Sequence, residues 1–157
     1  MPKRVKAGFI PPMLLLKTDT LPQGDSWTYQ LKLDGYRAVA FKTGRKLHLR
    51  SRNNKDFSTR YPSVVRGLAK LPDATVIDGE VVAFDEEGRP SFNALQNFGS
   101  SPAPVVYYVF DLMVLGGAGI SVASRLRNAA RYWKKESCRS SPRPSTTPSI
   151  STHLCLC

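Results

Sequence analysis

Between Trp27 and Leu115 the apolar positions change period several times, and each change predicts a new element. Tyr36-Arg-Ala-Val-Ala-Phe41 and Lys46-Leu-His-Leu-Arg50 read as two strands, with Thr43-Gly-Arg45 supplying the turn of a hairpin. From Thr59 to Leu71, the residues Val64, Val65, Leu68 and Leu71 recur at the spacing of one helical face, and Pro72-Asp73 ends the run. Thr75 to Phe84 is a β-branched strand followed by a turn at Asp85-Glu-Glu-Gly88. Ser91 is placed to cap a short helix through Phe92, Leu95 and Phe98. The aromatic and β-branched run Val105 to Leu115 predicts a buried central strand. Hairpin-joined strands with few helices predict an α+β domain on an antiparallel sheet.

The pattern changes at Gly116-Gly-Ala-Gly119, which lacks the spacing of a dinucleotide or phosphate loop and reads as a linker. One helical stretch, Ser121 to Lys135, follows it. Ser137 to Thr152, rich in Ser, Pro, Thr and Arg, is expected to be disordered.

Charge refines this division. The chain of 157 residues carries a net charge of +11. Residues 118–157 contribute +6, from seven Lys/Arg and one acid, and residues 1–117 contribute +5, from sixteen Lys/Arg and eleven acids. A mildly basic globular part with interspersed acids suits a polyanion such as DNA, although a solvated basic surface has the same composition. No run approaches the roughly 18–20 apolar residues of a membrane span, and Pro11-Pro12 interrupts the stretch before Met13-Leu-Leu-Leu16. The expectation is a cytoplasmic protein without a signal peptide or membrane partner. Cys138, Cys155 and Cys157 all lie near the end, with neither disulfide-framework nor zinc spacing.

Lys32-Leu-Asp-Gly-Tyr-Arg37 is the sharpest chemical signal. Gly35 permits a turn before the strand, so Lys32 can face a cleft. A lysine amine is nucleophilic only when neutral, and nearby cations such as Arg37 or a metal favour that form. Arg37 adds a forked donor for phosphate or ribose oxygens.

Four segments in order carry a family resemblance. Lys32-Leu-Asp-Gly-Tyr-Arg37 resembles motif I of the covalent nucleotidyltransferases, which include ATP-dependent DNA ligases, RNA ligases and mRNA capping enzymes. Leu49-Arg-Ser-Arg-Asn53 resembles the following Ser-Arg element of ligases, Ile77-Asp-Gly-Glu-Val-Val82 resembles motif III, and Tyr107-Tyr-Val-Phe-Asp111 resembles motif IIIa. Asp78 to Asp85 with Gly88-Arg-Pro-Ser-Phe92 is similar to bacterial ligases of the end-joining type. The resemblance covers roughly Phe9 to Leu115.

It implies an α+β, antiparallel-sheet nucleotidyltransferase (ATP-grasp-like) adenylation domain, incomplete at its C-terminal side. Residues 1–26 would be a lead-in, 27–115 the partial adenylation domain and 116–157 a basic Ser/Pro-rich tail. By the same resemblance Lys32 would attack the α-phosphate of ATP and hold AMP as a phosphoramidate. Gln30 would read the adenine where many relatives have Glu, its amide oxygen accepting the same bond. Arg37 would contact the nucleotide sugar, and Glu80 would bind ribose or hold Mg²⁺. Phe110 would stack on adenine, Arg52 would grip a phosphate of the nucleotide or nicked strand, and Asp34 would orient the loop.

The family's later Glu-Gly and Lys-x-Lys motifs and its oligonucleotide-binding barrel are not found after Leu115, and Lys134-Lys135 lacks the spacing. A truncated or frameshifted ligase reading frame, diverging near Gly116, would account for this. The leading expectation is a DNA ligase adenylation domain acting on nicked double-stranded DNA in repair and recombination, unable to seal nicks by itself. An inactive remnant that only binds DNA, and an RNA ligase or capping-type transferase, are the alternatives.

Overall fold

The structure is a computed structural model and describes residues 5–14, 17–24, 32–100, 103–119 and 155–156. Gln30, the helical stretch expected over 121–135 and the segment 137–152 lie outside the described residues.

Strands β1 (Tyr36–Thr43) and β2 (Lys46–Ser51) form the expected hairpin. Helix α1 (Pro62–Gly67) begins with a proline in its first turn, where a missing N–H costs nothing. It runs into a 3₁₀ turn at Leu68–Lys70, so the expected single helix is shorter and tightens at its end. Lys42 Nζ donates to the carbonyls of Ala69 and Leu71 at 2.7 and 2.8 Å, satisfying acceptors that a helix end leaves open. Strand β3 (Thr75–Ala83) follows, then α2 (Phe92–Gln96), where Ala94 N–H donates to Ser91 Oγ at 3.2 Å. Strand β4 (Val105–Leu115) covers the span its composition predicts.

All pairings among the described strands are antiparallel, in the order β2-β1-β3-β4-β5, where β5 is Ala118–Gly119. A two-residue strand β6 (Cys155–Leu156) also pairs with β4, opposite Tyr107 and Tyr108. This corrects one expectation. β1 and β3 are flanked on both sides, and β3, whose residues are buried except at Glu80, stands in the middle of the order, whereas β4 has β3 on one side and only two short strands on the other. A continuous apolar run reports burial of both faces but not the number of strand neighbours. The glycines read as a linker also behave differently. Gly116 and Gly117 take φ of 57° and 80°, the left-handed pair of a tight hairpin turn, and lead β4 into β5.

One face of the sheet carries the main core. Ala38, Ala40, Leu49, Ile77, Val81, Tyr107 and Leu112 pack there against Tyr61, Val64 and Leu68 of the helical segment and against Leu95 of α2. The opposite face holds a smaller cluster of Val39, Val76, Met113 and Val114, partly covered by Ala7, Phe9 and Ile10 of the N-terminal segment. Among the described residues no helix is long and apolar enough to cross a membrane.

Two bulges tune β4. Asp78 pairs with Asp111 and Gly79 with Val109, which leaves Phe110 as an extra residue. Val76 pairs with Val114 and Ile77 with Leu112, which leaves Met113 as a second. Each extra residue shifts the alternation by one. Val105, Tyr107 and Val109 face the core at intervals of two, and Leu112 and Leu115 return to it at intervals of three.

Candidate active site

The face away from the main core gathers most of the sequence-nominated residues. Arg37 follows the Lys32 loop by one residue into β1 and lies directly across the ladder from Glu80 of β3. Glu80 in turn lies opposite Tyr108 of β4. Alternation along β4 puts Phe110 on this face as well, against Arg37, whose guanidinium carbon is 4.4 Å from the ring centroid, and the bulge brings Asp111 to the same face opposite Asp78.

Arg37 is anchored by a residue that the sequence reading quoted but gave no role. Its Nε and Nη2 donate to the two carboxylate oxygens of Asp78 at 2.8 and 2.7 Å. Asp78 is 2% exposed, in the middle of a strand buried everywhere except at Glu80. A signal was present, because a carboxylate in such a strand is almost never buried unpaired. Burial acts against the Arg37 charge, but the Asp78 hydrogen bond and charge, joined by the Glu80 charge, outweigh it and raise the guanidinium pKa.

Glu80 has the opposite balance. Burial pushes its pKa above the ordinary carboxylate value of 4.5, and the Asp34 charge adds to the rise. A hydrogen bond from the Gly35 N–H and the charges of Arg37 and Lys32 oppose it without cancelling it. Gly35 seats the motif I loop close against β3 beside this carboxylate. The approach is so close that a Cβ at Gly35 would collide with the Val81 carbonyl oxygen and come within 3.0 Å of Glu80 Cγ. Only glycine fits there, which explains the Asp34-Gly35 pair in physical terms.

Lys32 and Asp34 are exposed, at the entrance to β1. Phe110 is half-buried and belongs to neither core cluster. Arg52 is exposed just past β2, and its backbone N–H donates to the Arg37 carbonyl at 3.1 Å, extending the β1–β2 ladder by one bond. The structure thus brings Lys32, Arg37, Glu80 and Phe110 around one face, with Arg52 at its margin. No group of three or more His, Cys, Asp or Glu able to hold a metal occurs among the described residues.

Chemically, the arrangement offers an accessible amine, a fixed guanidinium, a partly desolvated carboxylate and an aromatic face within a few strand positions. Such a set suits a nucleotide, which presents phosphate, sugar hydroxyls and a flat base.

Residues 12–134 match the family model of the ATP dependent DNA ligase domain, a span that runs past Leu115, where the recognised motifs end. The multifunctional non-homologous end joining protein LigD of Pseudomonas aeruginosa is 40% identical over 107 residues, which are 66% of this chain and 13% of that protein. The SPbeta prophage-derived DNA ligase-like protein LigB of Bacillus subtilis is 31% identical over 116 residues, covering 72% of this chain and 42% of the relative. Among solved structures, the ligase domain of M. tuberculosis LigD superposes with a TM-score of 0.56 at 31% identity, covering 68% of this chain and 36% of that one. A mycobacterial DNA ligase D complexed with ATP and MES gives 0.55 at 30% identity, covering 68% of this chain and 35% of that one. The chain therefore spans only a part of the relatives it resembles. The match identifies the antiparallel sheet as a nucleotidyltransferase fold.

Proposed function

Because the chain belongs to the family of ATP-dependent DNA ligase domains, we propose that it performs the family's first step, transfer of AMP from ATP to the amine of Lys32. The lysine nitrogen, having lost a proton, attacks the α-phosphorus. A nitrogen–phosphorus bond forms, the bond to the β-phosphate oxygen breaks, and pyrophosphate leaves. Arg37 holds the sugar side of the nucleotide, Phe110 supplies the stacking surface for adenine, and Gln30 accepts from the adenine amino group. Arg52 contacts a phosphate, and Asp34 orients the loop. The AMP then activates a 5′-phosphate at a nick in double-stranded DNA. The end-joining name of the LigD relative supports a role in DNA break repair and recombination, and a cytoplasmic location is part of the same proposal.

Mg²⁺ fits the donors present. Glu80 is a partly desolvated carboxylate whose charge is disfavoured by burial and by Asp34. A hard cation that keeps most of its waters and takes phosphate oxygens needs only one or two such carboxylates. Glu80, with Asp34 near it, would hold the ion. When bound, it neutralises charge on the phosphates.

The observation that carries this reading is the close seat of the Lys32 loop on the site face: no Cβ fits between Gly35 and Val81 or Glu80, and Arg37 lies opposite Glu80 with its guanidinium carbon 4.4 Å from the Phe110 ring. Phosphoryl transfer depends on positioning and electrostatics more than on reactive side chains, and the loop supplies position. The test is incubation with α-labelled ATP and Mg²⁺. Label should appear on the protein through a bond stable to alkali and lost in acid, as for a phosphoramidate, and peptide mapping should find it on Lys32. Lys32→Arg should abolish it, since guanidinium stays protonated. Label retained in that variant, or mapped elsewhere, overturns the assignment.

A further inference from the structure

Tyr36 opens β1 between two residues of the site. Before it, Gly35 seats the Lys32 loop against Val81; after it, Arg37 stands opposite Glu80. Successive strand residues point to opposite faces, so the Tyr36 ring turns to the main core while Arg37 turns to the site. The ring is held from three directions. Phe57 and Phe92 meet it edge-on, with centroids 5.7 and 5.0 Å away. The guanidinium carbon of Arg60 lies 5.8 Å from the Tyr36 centroid and 5.6 Å from that of Tyr61. Arg60 is exposed but not loose, since its Nη2 donates to the Gln96 carbonyl of α2 at 3.1 Å.

Edge-to-face pairs favour one ring orientation over others, so these contacts fix the angle of the Tyr36 side chain as well as its depth. An aliphatic side chain could fill much of the same volume without that constraint. Nothing else holds the root of the loop from the core side. Lys32 and Asp34 are exposed, Gly35 has no side chain, and of residues 32–36 only Tyr36 belongs to a core cluster. Arg37 has a separate anchor, the two hydrogen bonds to Asp78.

We propose that Tyr36 is a positioning residue for Lys32: its ring, held by Phe57, Phe92 and Arg60 on the far side of the sheet, fixes the root of the loop and so the place where the amine meets the α-phosphate. The meeting with the α-phosphate rests on the proposed function; the hold on the loop rests on the ring contacts alone. Because Asp78 holds Arg37 independently, loosening Tyr36 displaces the nucleophile more than the contact to the nucleotide sugar. The maximal rate of adenylation should therefore suffer, and the half-saturating ATP concentration should change little.

The experiment compares Tyr36→Leu, Tyr36→Phe and Phe98→Leu in the whole chain, well below their melting temperatures. Phe98 belongs to the same aromatic group but packs on Tyr61, 5.2 Å between centroids, so its loss reports general weakening of the core. Two readouts are taken: hydrogen exchange of the segment Lys32 to Arg37 without ATP, and the labelling rate as a function of ATP concentration. Tyr36→Leu should speed exchange in that segment and lower the maximal rate at least about 10-fold, since a shift of about 1 Å can cost on the order of 10²-fold. Tyr36→Phe, which keeps the ring, should stay close to wild type in both. Phe98→Leu should lower the melting temperature and leave both readouts as they were. Unchanged exchange in Tyr36→Leu, an equal effect in Phe98→Leu, or a change confined to the half-saturating ATP concentration overturns the proposal. Should Tyr36→Leu fail to fold by circular dichroism, Arg60→Gln releases the same ring from its exposed side. Faster exchange of the segment then supports the proposal, and unchanged exchange overturns it. Absence of labelling in the wild type would defeat the proposed function while exchange still decides whether Tyr36 holds the loop. Intact labelling with unchanged exchange would do the reverse.

Discussion

The guanidinium of Arg37 forks onto both carboxylate oxygens of Asp78, at 2.8 and 2.7 Å, while its carbon lies 4.4 Å from the centroid of the Phe110 ring. One buried acid therefore sets the direction of the cation that faces the candidate nucleotide site. A bidentate fork fixes both angle and distance, which a lysine in the same place could not do.

Asp78→Asn should therefore act at two levels. It leaves a largely buried guanidinium without its partner, which costs roughly 1–3 kcal/mol of stability. It also frees Arg37 to leave its position, so half-saturating ATP in adenylation should rise more than the maximal rate falls. Thermal melts and an ATP titration of the labelling rate check both. A lower melting temperature with unchanged ATP dependence would make Asp78 a structural acid only.

Glu80 should show the reverse relation between stability and function. Its folded pKa lies above 4.5, so folding favours the neutral acid. The associated stabilisation is fully present below the unfolded value and is lost as pH rises through the raised folded value. At pH 7 the ionised carboxylate is thus a cost to the fold. Glu80→Gln should melt at a higher temperature than wild type at pH 7, with the gain vanishing as pH falls below about 4.5, while adenylation drops. A lower melting temperature at pH 7 would mean that Gly35, Arg37 and Lys32 together outweigh burial.

Gly35→Ala tests the tie between loop and sheet. The added methyl would meet the Val81 carbonyl, so the loop must move away from Glu80. Displacement of a reacting group by about 1 Å can cost on the order of 10²-fold in rate. Adenylation should fall by about that much, with the melting temperature changed far less because Gly35 lies outside the core clusters. Labelling within a few-fold of wild type would show that the loop positions Lys32 without this contact.

Phe110→Ala should weaken ATP binding by roughly 1–3 kcal/mol, the worth of one base–aromatic stack. The fold should survive, since neither core cluster includes Phe110. Equilibrium binding of ATP and a thermal melt on the same sample separate the roles. A collapse in stability, with normal ATP affinity in the folded remainder, would make Phe110 a packing residue.

Much of the architecture was legible along the chain because it is encoded locally. Period-two alternation located β1 and β2, β-branched and aromatic runs located β3 and β4, and a serine followed by an apolar turn marked the cap at Ser91. The chemistry of the site was legible for another reason. A lysine, an arginine, a motif III carboxylate and an aromatic stand in a fixed order with the spacing of a known family. What could not be read was everything that depends on pairing across distance. Alternation states which residues share a face, but not which strand lies beside which, so β4 was expected at the centre where β3 stands. Nor does it reveal where one strand holds an extra residue, because a bulge exists only relative to a partner. The bulge at Phe110 brings Asp111 onto the same face opposite Asp78, and the register of β1 on β3 sets Arg37 opposite Glu80 and beside Asp78. Composition and order along the chain decided that there would be an antiparallel sheet and which side chains are the candidates for a nucleotide site. Only the tertiary structure decided that the set converges on one face, because register and bulges are settled by packing between segments some forty residues apart.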